Sequence, residues 1–234
     1  MPILKTENLV SGYGKVQIIN GISISIEEGE IVSIIGRNGV GKSTLMKSVM
    51  GLITPFSGKV EIDGIDYTKK PVYSRAAAGF GYVEQGHGIF PSLTVEENLR
   101  IGKSINNMKK SNDFDVAYEY FPILNSRKKQ KAGTLSGGEQ AMLSIARVLV
   151  ADPKIIILDE PSEGVQPNVV MQIGEIIKRY SSLRKTTILM VEQHLKLIQF
   201  ISQRAYAIDK GRVVGELTRE QLLDNQIVST YLSV

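Results

Sequence analysis

The chain has no cysteine and only two histidines. Disulfides, thiolate zinc sites, iron–sulfur clusters and cysteine nucleophiles are therefore excluded, and so is a histidine-rich metal centre; the lack of cysteine fits a reducing compartment. Long hydrophobic runs are also missing. The longest aliphatic stretches, such as Ile155-Ile156-Ile157-Leu158, fall far short of the roughly 20 apolar residues that cross a bilayer. Met1 to Val10 contains Lys5 and Glu7 and has no apolar core, so no secretory signal is expected there. Charge of one sign is scarce as well. A net charge of +4 is too weak to argue for nucleic-acid binding by itself. There are no repeats, no low-complexity tract and no Pro/Ser linker. What remains is 234 residues, 42% hydrophobic and 22% charged, which suits one large globular domain or two small ones. Any service to a membrane would come from its soluble side.

The first quarter reads as strands. Ile22, Ile24 and Ile26 alternate with polar residues, the period of a half-buried strand. Val60-Glu61-Ile62 and Ile65-Asp66-Tyr67 flank Asp63-Gly64, a hairpin turn. Ile31 to Ile35 predicts a further strand, followed by a glycine-rich loop and a helix from Lys42 to Met50. The middle changes character. Thr94-Val95-Glu96-Glu97 is a capping box, Asn106 to Ser111 is a polar loop, and Phe114, Tyr118 and Phe121 sit at helical spacing before Pro122. A helix is expected over Gly137 to Val150. Strand 154–159, helix 168–182, strand 186–191, helix 194–202 and a strand pair around Lys210-Gly211 follow. Thr218 to Gln221 is another capping box before a short helical tail. Strands alternating with helices predict a mainly parallel α/β sheet, with the helical middle as an insertion.

Gly36-Arg37-Asn38-Gly39-Val40-Gly41-Lys42-Ser43 fits G-x-x-x-x-G-K-[ST], with a strand before it and a helix after. Its glycines let backbone N–H groups cradle an anion, and the helix dipole adds to that field. Lys42 can reach β- and γ-phosphates, Ser43 can bind Mg2+, and Thr44 offers another hydroxyl. An ordinary glycine turn with a surface lysine is the plainer alternative, which the flanking elements disfavour. Ile155 to Leu158 ends in Asp159-Glu160. Such a run suits a parallel strand covered on both faces, and acids at its carboxyl end fall where open α/β sheets place ligands. Asp159 is expected to orient Mg2+ and Glu160 to act as general base on the attacking water.

Leu135-Ser136-Gly137-Gly138-Glu139-Gln140 opens a helix. Ser136 is an N-cap candidate, and the two glycines expose backbone N–H groups, which makes a second anion site. This run resembles the signature motif of ABC-transporter ATPases. The order phosphate loop, signature, Asp-Glu strand is similar to that family over essentially the whole chain. The resemblance implies a RecA-like P-loop core with an N-terminal antiparallel β subdomain and an inserted helical subdomain, the core over 1–86 and 146–234 and the insertion over about 87–145. It implies ATP and Mg2+ as ligands, with Tyr13 stacking on adenine and Gln85 contacting Mg2+ and the attacking water. The stretch Gly86 to Asn98 would face coupling helices of transmembrane permease subunits, which would take solute from a binding protein. The resemblance also implies head-to-tail pairing, with the Ser136–Glu139 signature of one subunit closing over nucleotide held by the phosphate loop of another. The chain would sit peripherally on the cytoplasmic face of the membrane.

Two runs depart from the commonest family pattern. In Pro161-Ser162-Glu163-Gly164-Val165-Gln166-Pro167, Gln166 takes the place of a usual aspartate. In Val191-Glu192-Gln193-His194, Gln193 falls on the switch position of the family and His194 one residue beyond it, as a helix-start residue or a local slip. Glutamine can donate a hydrogen bond to a γ-phosphate but carries no imidazolium charge. Both departures resemble the ATPases of importers for branched-chain amino acids and for urea or short amides. Two alternatives stand beside a transport ATPase. One is a soluble ABC-type ATPase acting on nucleic acid or ribosomes, which the single cassette and modest charge disfavour. The other is a regulator without activity, against which the retained Asp159 and Glu160 speak. The basic run Arg127 to Lys131 is expected to be a solvated loop.

Overall fold

A computed structural model describes residues 1–104 and 114–232. Expectations for Asn106 to Ser111 lie outside the described residues. In chain order the elements are β1 (Leu4–Tyr13), β2 (Val16–Ile26), β3 (Ile31–Ile35), α1 (Lys42–Met50), β4 (Ser57–Ile62), β5 (Ile65–Asp66), α2 (Val72–Ala77) and β6 (Phe80–Val83). The middle holds α3 (Val95–Ser104), α4 (Asp115–Tyr120), α5 (Pro122–Ser126) and α6 (Gly137–Leu149). Then come β7 (Ile155–Asp159), α7 (Pro167–Arg184), β8 (Thr187–Val191), α8 (Leu195–Ile201), β9 (Arg204–Asp209), β10 (Arg212–Leu217), α9 (Arg219–Leu223) and α10 (Asn225–Leu232).

Two sheets result. A four-stranded antiparallel sheet has the order β2-β1-β4-β5, and a six-stranded sheet has the order β10-β9-β3-β8-β7-β6. In the larger sheet β9, β3, β8, β7 and β6 pair in parallel, with β10 antiparallel at the edge. Every residue of β3, β7 and β8 is buried, which is what continuous Ile/Val/Leu runs predict for strands covered on both faces. One face packs α1 and the small sheet around Ile34, Leu45, Met46 and Ile157. The other packs the helical insertion and α7 around Leu143, Leu158, Ile173 and Met190. The period-2 rule sorts β7 between these layers: Ile155 and Ile157 face α1, while Ile156 and Leu158 face the helices.

The helix starts follow the expected caps. Thr94 and Glu97 bond reciprocally at the head of α3. Ser136 with Glu139 and Thr218 with Gln221 form complete capping boxes on α6 and α9. Pro167 opens α7, where its missing N–H costs nothing. The run Arg127 to Lys131 is the expected solvated turn, with Lys128, Lys129 and Lys131 exposed; within it Arg127 Nε lies 2.9 Å from Glu139 Oε1. Among the described residues no helix is long and apolar enough to cross a membrane.

Candidate active site

Because the strands of the larger sheet run parallel, their carboxyl ends gather side chains from distant parts of the chain. The phosphate loop leaves β3, Gln85 follows β6, Asp159 ends β7 with Glu160 just after it, and Glu192 to His194 follow β8. They surround a cavity of about 700 Å3, lined by Tyr13, Asn38, Gly39, Gly41, Lys42, Ser43, Thr44, Gln85, Glu160, Gln193 and His194 among others. Asp159 lies fully buried beside it.

The loop's shape depends on glycine at two points. Gly36 has φ 149°, and a Cβ there would meet the Ile208 carbonyl oxygen at 2.3 Å. Gly41 is the N-cap of α1 with φ 108° and makes no side-chain cap, so the first N–H groups of α1 lack a side-chain acceptor from it. Lys42 is only 4% exposed. Its Nζ donates to the carbonyls of Gly36 and Arg37, both at 2.8 Å. Burial pushes its ammonium below the ordinary lysine range, opposed by Glu160, Asp159 and Glu192. A lysine held this way is poised to exchange carbonyls for phosphate oxygens.

Ser43 Oγ donates to Asp159 Oδ1 at 3.0 Å, and Tyr82 Oη donates to Asp159 Oδ2 at 3.3 Å. Burial pushes the Asp159 carboxyl above the usual range, with both hydroxyls opposing that shift. Glu160 sits in the left-handed region at φ 51°. Its Oε1 accepts from Gln193 Nε2 at 2.7 Å and its Oε2 from Gln85 Nε2 at 3.3 Å. Gln193 Nε2 also reaches Asn38 Oδ1 at 2.7 Å. The carboxylate is thus held by one amide from each flanking strand, pointing into the cavity.

Gln193 and His194 separate cleanly. His194 Nδ1 accepts the Leu197 N–H at 3.3 Å and caps α8, so its ring also serves as a helix-start group. Sequence reasoning assigned no role to Glu192 or Tyr82. Glu192 is 3% exposed, and its Oε1 accepts the N–H groups of Gln193 at 2.7 Å and His194 at 2.9 Å. It fixes the turn that aims Gln193. Ile18, Ser162 and Glu163 also line the cavity. Gly36, Arg37, Val40 and the whole Ser136–Glu139 signature do not. Gly137 and Gly138 pack instead beside Gly164 and Val169.

The donor set suits ATP with Mg2+. The cavity combines a buried ammonium, an uncapped helix start and an acid–hydroxyl pair. Among the described residues no group of three or more His, Cys, Asp or Glu side chains is placed to hold a metal ion. A cation here would therefore complete its shell with phosphate oxygens and water, as Mg2+ does in nucleotide sites. A second cavity of about 330 Å3 opens between the core and the helical insertion, lined by Met50, Val72, Phe80, Tyr82, Phe90 and Arg147 among others.

A phosphate loop and an Asp-Glu strand end on one parallel sheet define a P-loop ATPase. The chain belongs to the ABC transporter family, whose model matches residues 19–163, and it is an ATP-binding subunit that hydrolyses ATP. It is similar to the high-affinity branched-chain amino acid transport ATP-binding protein BraG of Pseudomonas aeruginosa, at 38% identity over 95% of this chain and 96% of that protein. It is similar to the probable branched-chain amino acid transport ATP-binding protein LivF of Archaeoglobus fulgidus, at 37% over 96% and 95%. The lipopolysaccharide export ATP-binding protein LptB of Haemophilus influenzae is 36% identical over 99% and 98%. Among solved structures, a nucleotide-free ATP-binding cassette from an ABC transporter superposes with a TM-score of 0.86 at 29% identity over 100% of both chains. A dimeric post-hydrolysis cassette, MJ0796 bound to ADP and Pi, superposes with a TM-score of 0.84 at 25% identity over 92% of this chain and 98% of that one. The expected fold is thus the observed one: a RecA-like core, an antiparallel β subdomain and a helical subdomain. Cassettes of this family dimerise and pair with transmembrane subunits.

Proposed function

We propose that this chain energises a membrane importer for branched-chain amino acids or for urea and short amides, working as one half of a head-to-tail ATPase pair on the cytoplasmic face. The observation that carries the reading is the division of labour in the site. Lys42, Ser43 and Glu160 share one cavity with Asp159 buried beside it, while the Ser136–Glu139 signature lies outside it. A second copy, or a related chain, supplies its own signature to close that cavity.

In this reading ATP stacks on Tyr13 and lays its phosphates along Gly36 to Thr44. Ser43, Asp159 and Gln85 would hold Mg2+, which would supply charge neutralisation of the phosphates. Lys42 binds the β- and γ-phosphates. Glu160 accepts a proton from the attacking water, and Gln85 and Gln193 hold its carboxylate toward that water. Gln193 exchanges its Asn38 contact for a hydrogen bond to the γ-phosphate. The core, 1–86 and 146–234, and the helical subdomain, about 87–145, move as nucleotide comes and goes. The groove between them seats a short helix of the permease; Gly88 and Phe90 of the expected contact stretch line it, and Arg147 Nη1 there has no hydrogen-bond partner. The solute preference is supported by the identity to BraG and LivF and by Gln166 and Gln193 in their runs. The similarity to LptB favours lipid export as the second reading. Nucleic acid is not an expected partner.

The test has two arms. Glu160→Gln should retain ATP binding, accumulate as an ATP-bound dimer and lose turnover by roughly 100-fold or more; undiminished hydrolysis would reject Glu160 as the base. Affinity capture of that variant from solubilised native membranes should bring down permease subunits whose receptor binds leucine, isoleucine, valine or urea. Recovery of lipid-export subunits would overturn the import assignment.

A further inference from the structure

Tyr82 stands outside every motif, yet its hydroxyl reaches the buried acid at the centre of the site. The register explains why. Tyr82 pairs with Ile157 across β6 and β7, and side chains two apart on a strand share a face, so Tyr82, Ile157 and Asp159 line the α1 side together. Asp159 is fully buried; an ionised carboxylate there must be held by donors on both oxygens. Ser43 serves Oδ1 and Tyr82 serves Oδ2. Lys42 spends its Nζ on the Gly36 and Arg37 carbonyls instead.

We propose that Tyr82 is a positioning residue for magnesium binding: its hydroxyl occupies Asp159 Oδ2 and so turns Oδ1, the oxygen shared with Ser43, toward the cation. The inference rests on the reading of Asp159 as the acid that orients Mg2+. Without that donor the carboxylate is free to rotate about its last bond, and part of the geometry offered to the cation is lost. Tyr82 has a second exposure. Its residue also lines the 330 Å3 groove between core and helical insertion, so an occupant of that groove would touch the residue that orients Asp159.

Tyr82→Phe keeps the ring in the core and removes the hydroxyl. The measurement is binding of a fluorescent ATP analogue across a Mg2+ titration, with chelator at the low end, in the full-length protein carrying Glu160→Gln. Loss of one hydrogen bond to a charged group should raise the Mg2+ concentration for half-maximal enhancement roughly threefold to tenfold. Affinity without Mg2+ should stay within the scatter of the parent, while the thermal midpoint falls by a few degrees because buried Asp159 Oδ2 loses its donor. An unchanged Mg2+ midpoint, or an equal loss with and without Mg2+, overturns the positioning role. Asp159→Asn is the second arm. If it flattens the Mg2+ enhancement while Tyr82→Phe does nothing, only the Tyr82 inference fails; if it leaves the enhancement intact, the Asp159 reading fails with it.

Discussion

The chain carries two glycine-rich helix starts built for anions, and they are finished in opposite ways. At the head of α1 the N-cap is Gly41, with no side-chain cap and no acid in the first turn. At the head of α6 the N-cap is Ser136, in a complete capping box with Glu139. Ser136 Oγ and the Ser136 N–H both donate to Glu139 Oε2 at 2.9 Å. Uncapped helix-start N–H groups lack partners and attract negative charge; in the α6 box the Ser136 and Glu139 N–H groups are supplied, and the Glu139 carboxylate puts a negative charge at that helix start. The first start is open for phosphate within its own chain. The second is quenched by its own acid until something displaces that acid. The comparison suits a division in which one end binds nucleotide alone and the other responds to nucleotide already bound elsewhere.

The sharpest way to break this contrast is to disable each end separately and mix. Lys42→Ala removes the phosphate-binding ammonium. Ser136→Glu puts a carboxylate where a partner's phosphate should arrive. Each variant alone should lose turnover by about 100-fold to 1,000-fold, since charge-assisted contacts to developing charge are worth roughly 2.7–4 kcal/mol. In a mixed pair one composite site keeps both good halves, so phosphate release from the mixture should rise well above the sum of the separate variants. Additive activity at every mixing ratio would mean that the two ends do not meet across subunits. Nucleotide binding by separated subunits sharpens the point: Lys42→Ala should weaken it and Ser136→Glu should leave it unchanged.

A smaller effect is expected from the acid that quenches the second start. Glu139 accepts from Ser136 and lies against Arg127 at 2.9 Å. Glu139→Gln keeps the capping geometry and removes the negative charge. Nucleotide-driven pairing should then tighten by about threefold to tenfold, given roughly 0.3–1 kcal/mol for a charge at an exposed helix terminus and a little more for the partly buried pair. Sedimentation of the Glu160→Gln protein, with and without Glu139→Gln, at limiting ATP would read it. Weaker pairing in the double variant would show that the carboxylate helps rather than hinders.

What the sequence made legible divides along the same line between local and distant. The phosphate loop, the Ile155 to Glu160 strand end, the Thr94 and Thr218 capping boxes and the Ser136 N-cap are written in consecutive residues, and each stands where expected. The Thr94, Ser136 and Thr218 caps close on partners three residues away, which is why spacing alone finds them. The contacts across the sheet are written nowhere locally. Tyr82 meets Asp159 because β6 lies beside β7, a register no periodicity encodes. Arg75 looks like a surface residue of a short helix, yet it is fully buried and donates to the carbonyls of Ser48, Val49, Tyr67 and Thr68, clamping the carboxyl end of α1. Its cation there complements the helix dipole. The alternation of β1 is blurred by register shifts between Thr6 and Leu9 and again after them, so its two-residue period breaks before it can be read. Distant pairing and bulges explain the silence in each case.

The finest distinction concerns two neighbours on one turn, Gln193 and His194. Both line the cavity, but only Gln193 bonds to Glu160 and Asn38, while His194 accepts from the Leu197 N–H at the head of α8. Gln193→Ala should therefore lower turnover by about tenfold, the size of one hydrogen bond to a charged group, with little change in the ATP concentration for half-maximal rate. His194→Ala should cost about 0.5–1 kcal/mol of stability through the lost cap and leave turnover within about twofold once folded protein is counted. His194→Asn, a stronger cap, should restore the thermal midpoint and keep turnover, whereas a catalytic imidazole would leave turnover lost in that variant. If His194→Ala abolishes hydrolysis while Gln193→Ala does not, the switch belongs to the histidine and the turn must rearrange around nucleotide. The buried Glu192 carboxylate, which holds the N–H groups of both residues, would then be the pivot of that rearrangement rather than its anchor.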